Sequence, residues 1–150
     1  MKYRSGGIGR VFVSRFDDGE DFIAQLSELA GKENVRAAVF FLVGGVKGGR
    51  VVVGPKGDEM PPDPVWDNVS GNSEMLGTGT IFWDSNGPKA HLHVSVGRGG
   101  TVKTGCLRQD SSAFLVLEAV VMEITGIQAG RLPDPESGMQ LLGFTDKKTF

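Results

Sequence analysis

The chain holds two histidines and a single cysteine, and their spacing is its first feature with chemical content. His91 and His93 flank Leu92 in a run, Ala90 to Val96, that reads as a strand. Side chains alternate along a strand, so both imidazoles point to one face and Leu92 to the other. Gly97 to Gly100 marks a turn, and Thr101 to Leu107 is the returning strand. With Arg98-Gly99 as a two-residue loop, Gly97 pairs with Gly100, His93 faces Thr104 and His91 faces Cys106. A four-residue loop over Gly97 to Gly100 keeps that register. A three-residue loop without a bulge turns Cys106 away. Opposed residues on antiparallel strands share a face with Cβ atoms about 4.5–5.5 Å apart, so the imidazoles and the thiol converge.

Two imidazoles and a thiolate suit Zn²⁺, or another divalent transition metal, with donors at about 2.0–2.3 Å. Three protein ligands leave a fourth position for water or substrate, as in catalytic rather than closed structural zinc. Metal binding would deprotonate Cys106. The competing reading is a pair of half-exposed strand histidines beside a buried structural cysteine, and His-x-His alone does not choose between them. Glu74, just before Met75-Leu76, is a candidate fourth ligand, general base or ligand-orienting group, or else a surface carboxylate at a strand end. Arg98, or another nearby arginine, is a candidate to hold a substrate carboxylate. Trp66 lies in a polar stretch, Pro55 to Ser70, that contains four prolines. A loop of that length is either a binding lid, with Trp66 touching substrate, or a covering flap.

The elements that must position these groups are mostly strands. Arg10 to Phe16 alternates as a strand. Asp17-Asp18-Gly19-Glu20 offers a helix start, with acids at the positive end of the dipole. Phe22, Ile23, Leu26, Leu29 and Ala30 mark one apolar helical face, and Gly31 is a candidate C-terminal cap. The one main helix is therefore placed at about 19–31. Val35 to Val43 is a buried strand ended by Gly44-Gly45, with Arg50 to Val53 as its neighbour. Glu74 to Trp83 is a strand whose glycines indicate a bulge or close packing. Asn86-Gly87 is a turn. Ala113 to Ile124 is long enough for a helix, but its β-branched content predicts a central strand. Pro133-Asp134-Pro135 breaks whatever follows. The order predicts one α+β domain over residues 1–150, with a largely antiparallel sheet.

Composition narrows the partners. The formal net charge is −2, with 16 Lys and Arg scattered among 18 acids, unlike the clustered basic face of a nucleic-acid binder. The densest basic spot, Lys147-Lys148, reads as a solvated tail. A lone cysteine cannot form an internal disulfide, which points to a reducing compartment. No signal-like start is visible, and the longest apolar run, Ala113 to Met122, is interrupted by Glu118. The expectation is a cytoplasmic protein with no membrane partner.

Several stretches together resemble the plant-and-prokaryote-conserved (PPC) domain family, whose members often carry a provisional DNA-binding label. They are Arg15 to Phe22, the strand into Val43-Gly44-Gly45, Glu74 to Gly79, His91 to Val96, Thr104 to Leu107, Leu117 to Val120 and the tail Asp134 to Leu142. The resemblance implies an α+β fold and a homotrimer. Prokaryotic members carry His-x-His followed by a Gly-Gly-His-Leu segment, and the three histidines hold a metal. Here Cys106 stands in the third place, which keeps a zinc-competent donor. The fold is also similar to that of acetolactate decarboxylase, which holds zinc with an analogous histidine trio. Plant members add an AT-hook with an Arg-Gly-Arg core, absent from this sequence. They also carry Gly-Arg-Phe-Glu-Ile-Leu, where this chain has Gly71-Asn72-Ser73-Glu74-Met75-Leu76. The glutamate position is kept and the Arg-Phe pair is lost.

Three functions follow. One is a metal-dependent enzyme acting on a small carbonyl or carboxylate substrate, with Glu74 as candidate base. Another is a non-catalytic trimeric binding or regulatory module. The third is DNA binding, against which the charge balance and the missing hook both count.

Overall fold

The computed structural model describes residues 1–145; Lys147-Lys148 lie outside them. The elements run β1 (Gly7–Asp17), α1 (Phe22–Lys32), β2 (Ala37–Pro55), β3 (Pro64–Asp84), β4 (Gly87–Arg98), β5 (Thr101–Gln109), β6 (Ser112–Thr125), β7 (Ala129–Asp134) and β8 (Met139–Phe144). Six strands form one antiparallel sheet in the order β1-β6-β2-β3-β4-β5, and β7-β8 is a separate hairpin. The fold is α+β, and the β-branched run of β6 is a central strand.

The helix starts later than its acids suggest. Asp21, not the Asp17 to Glu20 stretch, is the N-cap, and its carboxylate accepts from the Ala24 N–H at 3.0 Å. Asp18 instead accepts from the Leu115 N–H of β6 and pairs with Lys47. Gly31 lies inside the helix. The chain reverses at Asn34, whose φ of 54° is a left-handed conformation that asparagine tolerates. Phe22, Leu26 and Ala30 are buried on the core side, and the helix packs on β4.

Gly44-Gly45 does not end a strand. β2 runs on through it, so Arg50 to Val53 continues the same strand rather than forming its neighbour. The reason lies in β6, which carries two extra residues, Leu115 and Val116, between the partners of Gly44 and Gly45. Their bulge brings the Val116 carbonyl within 2.4 Å of where a Gly44 Cβ would sit, and the Phe114 carbonyl within 2.5 Å of one on Gly45. Only glycine admits that approach.

The long β2 gives the sheet its shape. Ala38 to Lys47 pairs with β6, and Arg50 to Val52 pairs with β5. Because β2 also pairs with β3 throughout, the strands β2-β3-β4-β5 close on themselves. Gly105 permits the closure, since a Cβ there would meet the Val52 carbonyl at 2.5 Å. Much of the expected loop at Pro55 to Ser70 is strand, with Val65 opposite Gly54 and Trp66 opposite Val52. Pro133 does not break the chain either. It lies within β7 opposite Gln140, in a two-stranded hairpin where a missing N–H costs little. No helix among the described residues is long and apolar enough to cross a membrane.

Candidate metal centre

The β4-β5 turn sets the site. Gly99 and Gly100 have φ of 55° and 82°, the double positive φ of a type I′ hairpin turn. Arg98 therefore pairs with Thr101, two residues away from the register expected with Arg98-Gly99 in the loop. His93 faces Cys106, and Ser95 faces Thr104 with their hydroxyls 2.9 Å apart. His91 lies one step beyond and faces Thr80 of β3. A shift of two residues preserves strand parity, so all three groups still share one face.

The donor atoms of His91, His93 and Cys106 lie within 4.8 Å of one another, the only such group among the described residues. The two rings meet edge to face with centroids 5.1 Å apart. Tetrahedral zinc bonds of about 2.0–2.3 Å place donor atoms roughly 3.3–3.8 Å apart, so small side-chain rotations would close the set on an ion. His91 is half-buried, His93 exposed and Cys106 buried. Burial, then Arg131, His93 and Arg108, hold the His91 imidazole down to about 4. It is therefore neutral at pH 7, with a lone pair free for ligation. Burial pushes the Cys106 thiol up, and Arg108 and Arg131 pull against it.

The strand beneath the histidines is fitted to them. Thr78, Gly79 and Thr80 oppose His93, Leu92 and His91 without a register shift. A Cβ on Gly79 would lie 2.3 Å from Cζ of Phe40 and 2.5 Å from the His91 carbonyl. The glycines of β3 thus serve close packing rather than a bulge at this point.

The other candidates are dispersed. Glu74 is exposed and opposes Gly97. It sits four residues along β3 from Thr78, roughly 13 Å at strand rise, and is not part of the donor group. Arg98 packs against Gly71 and lines a different cleft of about 420 Å³ with Ser70, Ser73 and Lys103. Trp66 does come to the donors. It lines a cleft of about 840 Å³ with Pro62, Pro64, His93, Cys106, Arg108 and Met139.

Two site residues went unnoticed in the sequence. Arg108 follows Cys106 at i+2, so strand alternation alone would have suggested it. Arg131 had no local signal, because it reaches the site from β7. Its Nη2 donates to Thr80 Oγ1 at 3.1 Å, and its guanidinium sits 5.7 Å from the Phe82 ring centroid.

A sequence model of the Plants and Prokaryotes Conserved (PCC) domain matches residues 3–125. The chain belongs to this family. The PCC fold is shared with a metal-containing protein of Archaeoglobus fulgidus, at 25% identity and TM-score 0.81, covering 94% of this chain and 98% of that one. A plant- and prokaryote-conserved protein of Pyrococcus horikoshii aligns at 23% identity and TM-score 0.80, covering 99% of each chain. A Ralstonia eutropha JMP134 protein with a provisional DNA-binding label aligns at 21% identity and TM-score 0.75, covering 89% and 90%. No functionally curated protein shows significant similarity to the chain.

Proposed function

We propose that this PCC-domain protein binds one zinc ion through His91, His93 and Cys106 and uses it on a small carbonyl or carboxylate ligand in the adjoining cleft. The observation that carries the reading is the convergence of the two imidazoles and the thiol within 4.8 Å, beside a cleft of about 840 Å³. The metal-containing relative supports it. When bound, the ion would polarise a ligand oxygen. The chain's own residues would keep His91 neutral, shield Cys106 and present Arg108 to the ligand. A thiolate ligand fits a reducing, cytoplasmic setting.

The test is elemental analysis of purified protein beside Cys106→Ala and His93→Ala variants. One equivalent of zinc per chain, lost in both variants, is the expected result. Unchanged metal content in Cys106→Ala contradicts the ligand assignment.

The reading includes a homotrimer. One row of cross-strand partners runs Val13, Val120, Phe41, Thr78, His93, Cys106. Beside it stand Val11, Val43 and Leu76, so the sheet presents an exposed apolar face continuous with the donors. Such a face favours a protein partner, and a second and third copy would cover it. Glu74 lies on this face too and would reach a donor group only across a subunit boundary. Sedimentation at about 48 kDa, three times the 16.0 kDa chain, is expected; a 16.0 kDa species contradicts it.

DNA binding is the competing reading, carried by the label on the Ralstonia relative. A net charge of −2 opposes it. Steeply salt-dependent affinity for duplex DNA would favour it. A non-catalytic module would bind zinc and ligand but release the ligand unchanged.

A further inference from the structure

The cleft beside the donors has a charge pattern unlike the rest of the chain. The sequence has more acids than bases, 18 against 16, yet no carboxylate lines this cleft and Arg108 does. Arg131 lies outside the cleft lining but near the donors: it donates to Thr80, the cross-strand partner of His91, and its charge acts on both His91 and Cys106. Among the described residues neither guanidinium has a carboxylate within ion-pair distance. Guanidinium stays charged in any such setting, and two cations placed together without an acid repel each other. An anion bound at Arg108 lowers that cost.

The remaining wall is apolar. Pro62 and Pro64 come from the start of β3 and the loop before it, Met139 from the start of β8, and Trp66 lies between them. Trp66 is 39% exposed in this wall, and the Arg50 guanidinium lies 4.4 Å from its ring centroid. That leaves the indole backed by a cation and open to a ligand. A cleft with the Arg108 guanidinium beside the donors and indole, proline and thioether in its wall matches an amphiphilic ligand.

We propose that the cleft binds a small organic acid with an apolar body, its carboxylate held by Arg108, with Arg131 adding positive charge from beyond the lining, and its body lying against Trp66, Pro62, Pro64 and Met139. This rests on the reading that the cleft is the ligand site of the donor centre, and it narrows that reading to carboxylates. Bidentate guanidinium–carboxylate contacts supply orientation as well as attraction. They fix the end of the ligand that faces His93 and Cys106.

The test is an NMR titration of ¹⁵N-labelled full-length protein with phenylacetate, phenylacetamide and acetate, zinc-loaded and metal-free. Saturable shifts of the Trp66 indole N–H are expected with phenylacetate. Binding about 10-fold or more weaker is expected for the neutral amide, and for acetate, which lacks the body. Arg108→Gln should weaken phenylacetate about 10-fold or more and Arg131→Gln by a smaller factor. Arg98→Gln, in the separate cleft, should leave it unchanged. Amide and acid binding alike, or full affinity in Arg108→Gln with a native-like spectrum, overturns the proposal. So does the absence of a saturable Trp66 shift up to about 20 mM phenylacetate. Equal affinity for acetate removes the apolar body from the recognised class. Failure of the zinc reading looks different: the protein holds no metal, while Arg108-dependent phenylacetate binding persists.

Discussion

Replacing Gly79 by alanine tests how tightly the floor of the site is built. The added Cβ would lie 2.3 Å from Cζ of Phe40 and 2.5 Å from the His91 carbonyl oxygen. Non-bonded carbon contacts are optimal at about 3.5–4.0 Å, so the ring must move by more than ~1 Å. Phe40 is completely buried, and the carbonyl belongs to the β3-β4 ladder, so neither neighbour yields freely. Overpacking costs about 1–3 kcal/mol, and two rigid neighbours put Gly79→Ala near 3 kcal/mol. For a chain of this length that is a fall in Tm of about 6–12 °C. Urea denaturation at fixed protein concentration reads the loss, and Phe40→Leu supplies the control. Shortening the ring relieves one clash and leaves the carbonyl clash. The double variant should therefore lose about 1 kcal/mol less than the two single losses added. A Gly79→Ala loss below ~1 kcal/mol, or strict additivity, would refute the packing argument.

Other perturbations address the helix, the β6 bulge and the site's protonation. Asp21→Ala removes the helix N-cap and should cost about 1 kcal/mol in urea denaturation; an unchanged midpoint would contradict the cap. Leu115 is exposed with φ of 58°, so Leu115→Gly should stabilise by about 0.5–1 kcal/mol, and a loss would show that a partner covers the side chain. In metal-free protein, His91 has its folded value lowered to about 4 from 6.5. Below pH 6.5 the unfolded chain takes up a proton that the folded chain refuses. The His91 contribution to stability should therefore be lost between about pH 6.5 and 4, before the paired carboxylates Asp18, Asp67, Glu123 and Asp134, also held low, begin to protonate. His91→Gln should flatten this dependence, and a slope unchanged in that variant would contradict the assignment.

The site was partly legible because its key signals are local. His91 and His93 share a face by strand alternation alone. Cys106 joins them through a hairpin whose parity survived a register error of two residues. The error arose from the choice of loop: Arg98-Gly99 and Gly99-Gly100 are both short and polar, and only the second supplies glycine at both positive-φ positions. The α+β class was legible from the single amphipathic helix among β-branched runs. The continuity of β2 was not, because Gly44 and Gly45 look like a strand end until the bulge at Leu115 and Val116 is known to press on them. Arg131 was hidden for a related reason. It lies two residues before Pro133 in β7, and nothing near it in sequence signals a return to β3. Glu74 shows the converse: a plausible residue type on the expected strand that sits four residues along β3 from Thr78, the partner of His93, roughly 13 Å at strand rise.

X-ray absorption at the zinc edge tests the central claim most directly. Two nitrogen scatterers at about 2.0–2.1 Å and one sulfur at about 2.3 Å are predicted, with the sulfur shell lost in Cys106→Ser. A spectrum with no sulfur shell, or one unchanged by that substitution, would contradict a centre built from His91, His93 and Cys106.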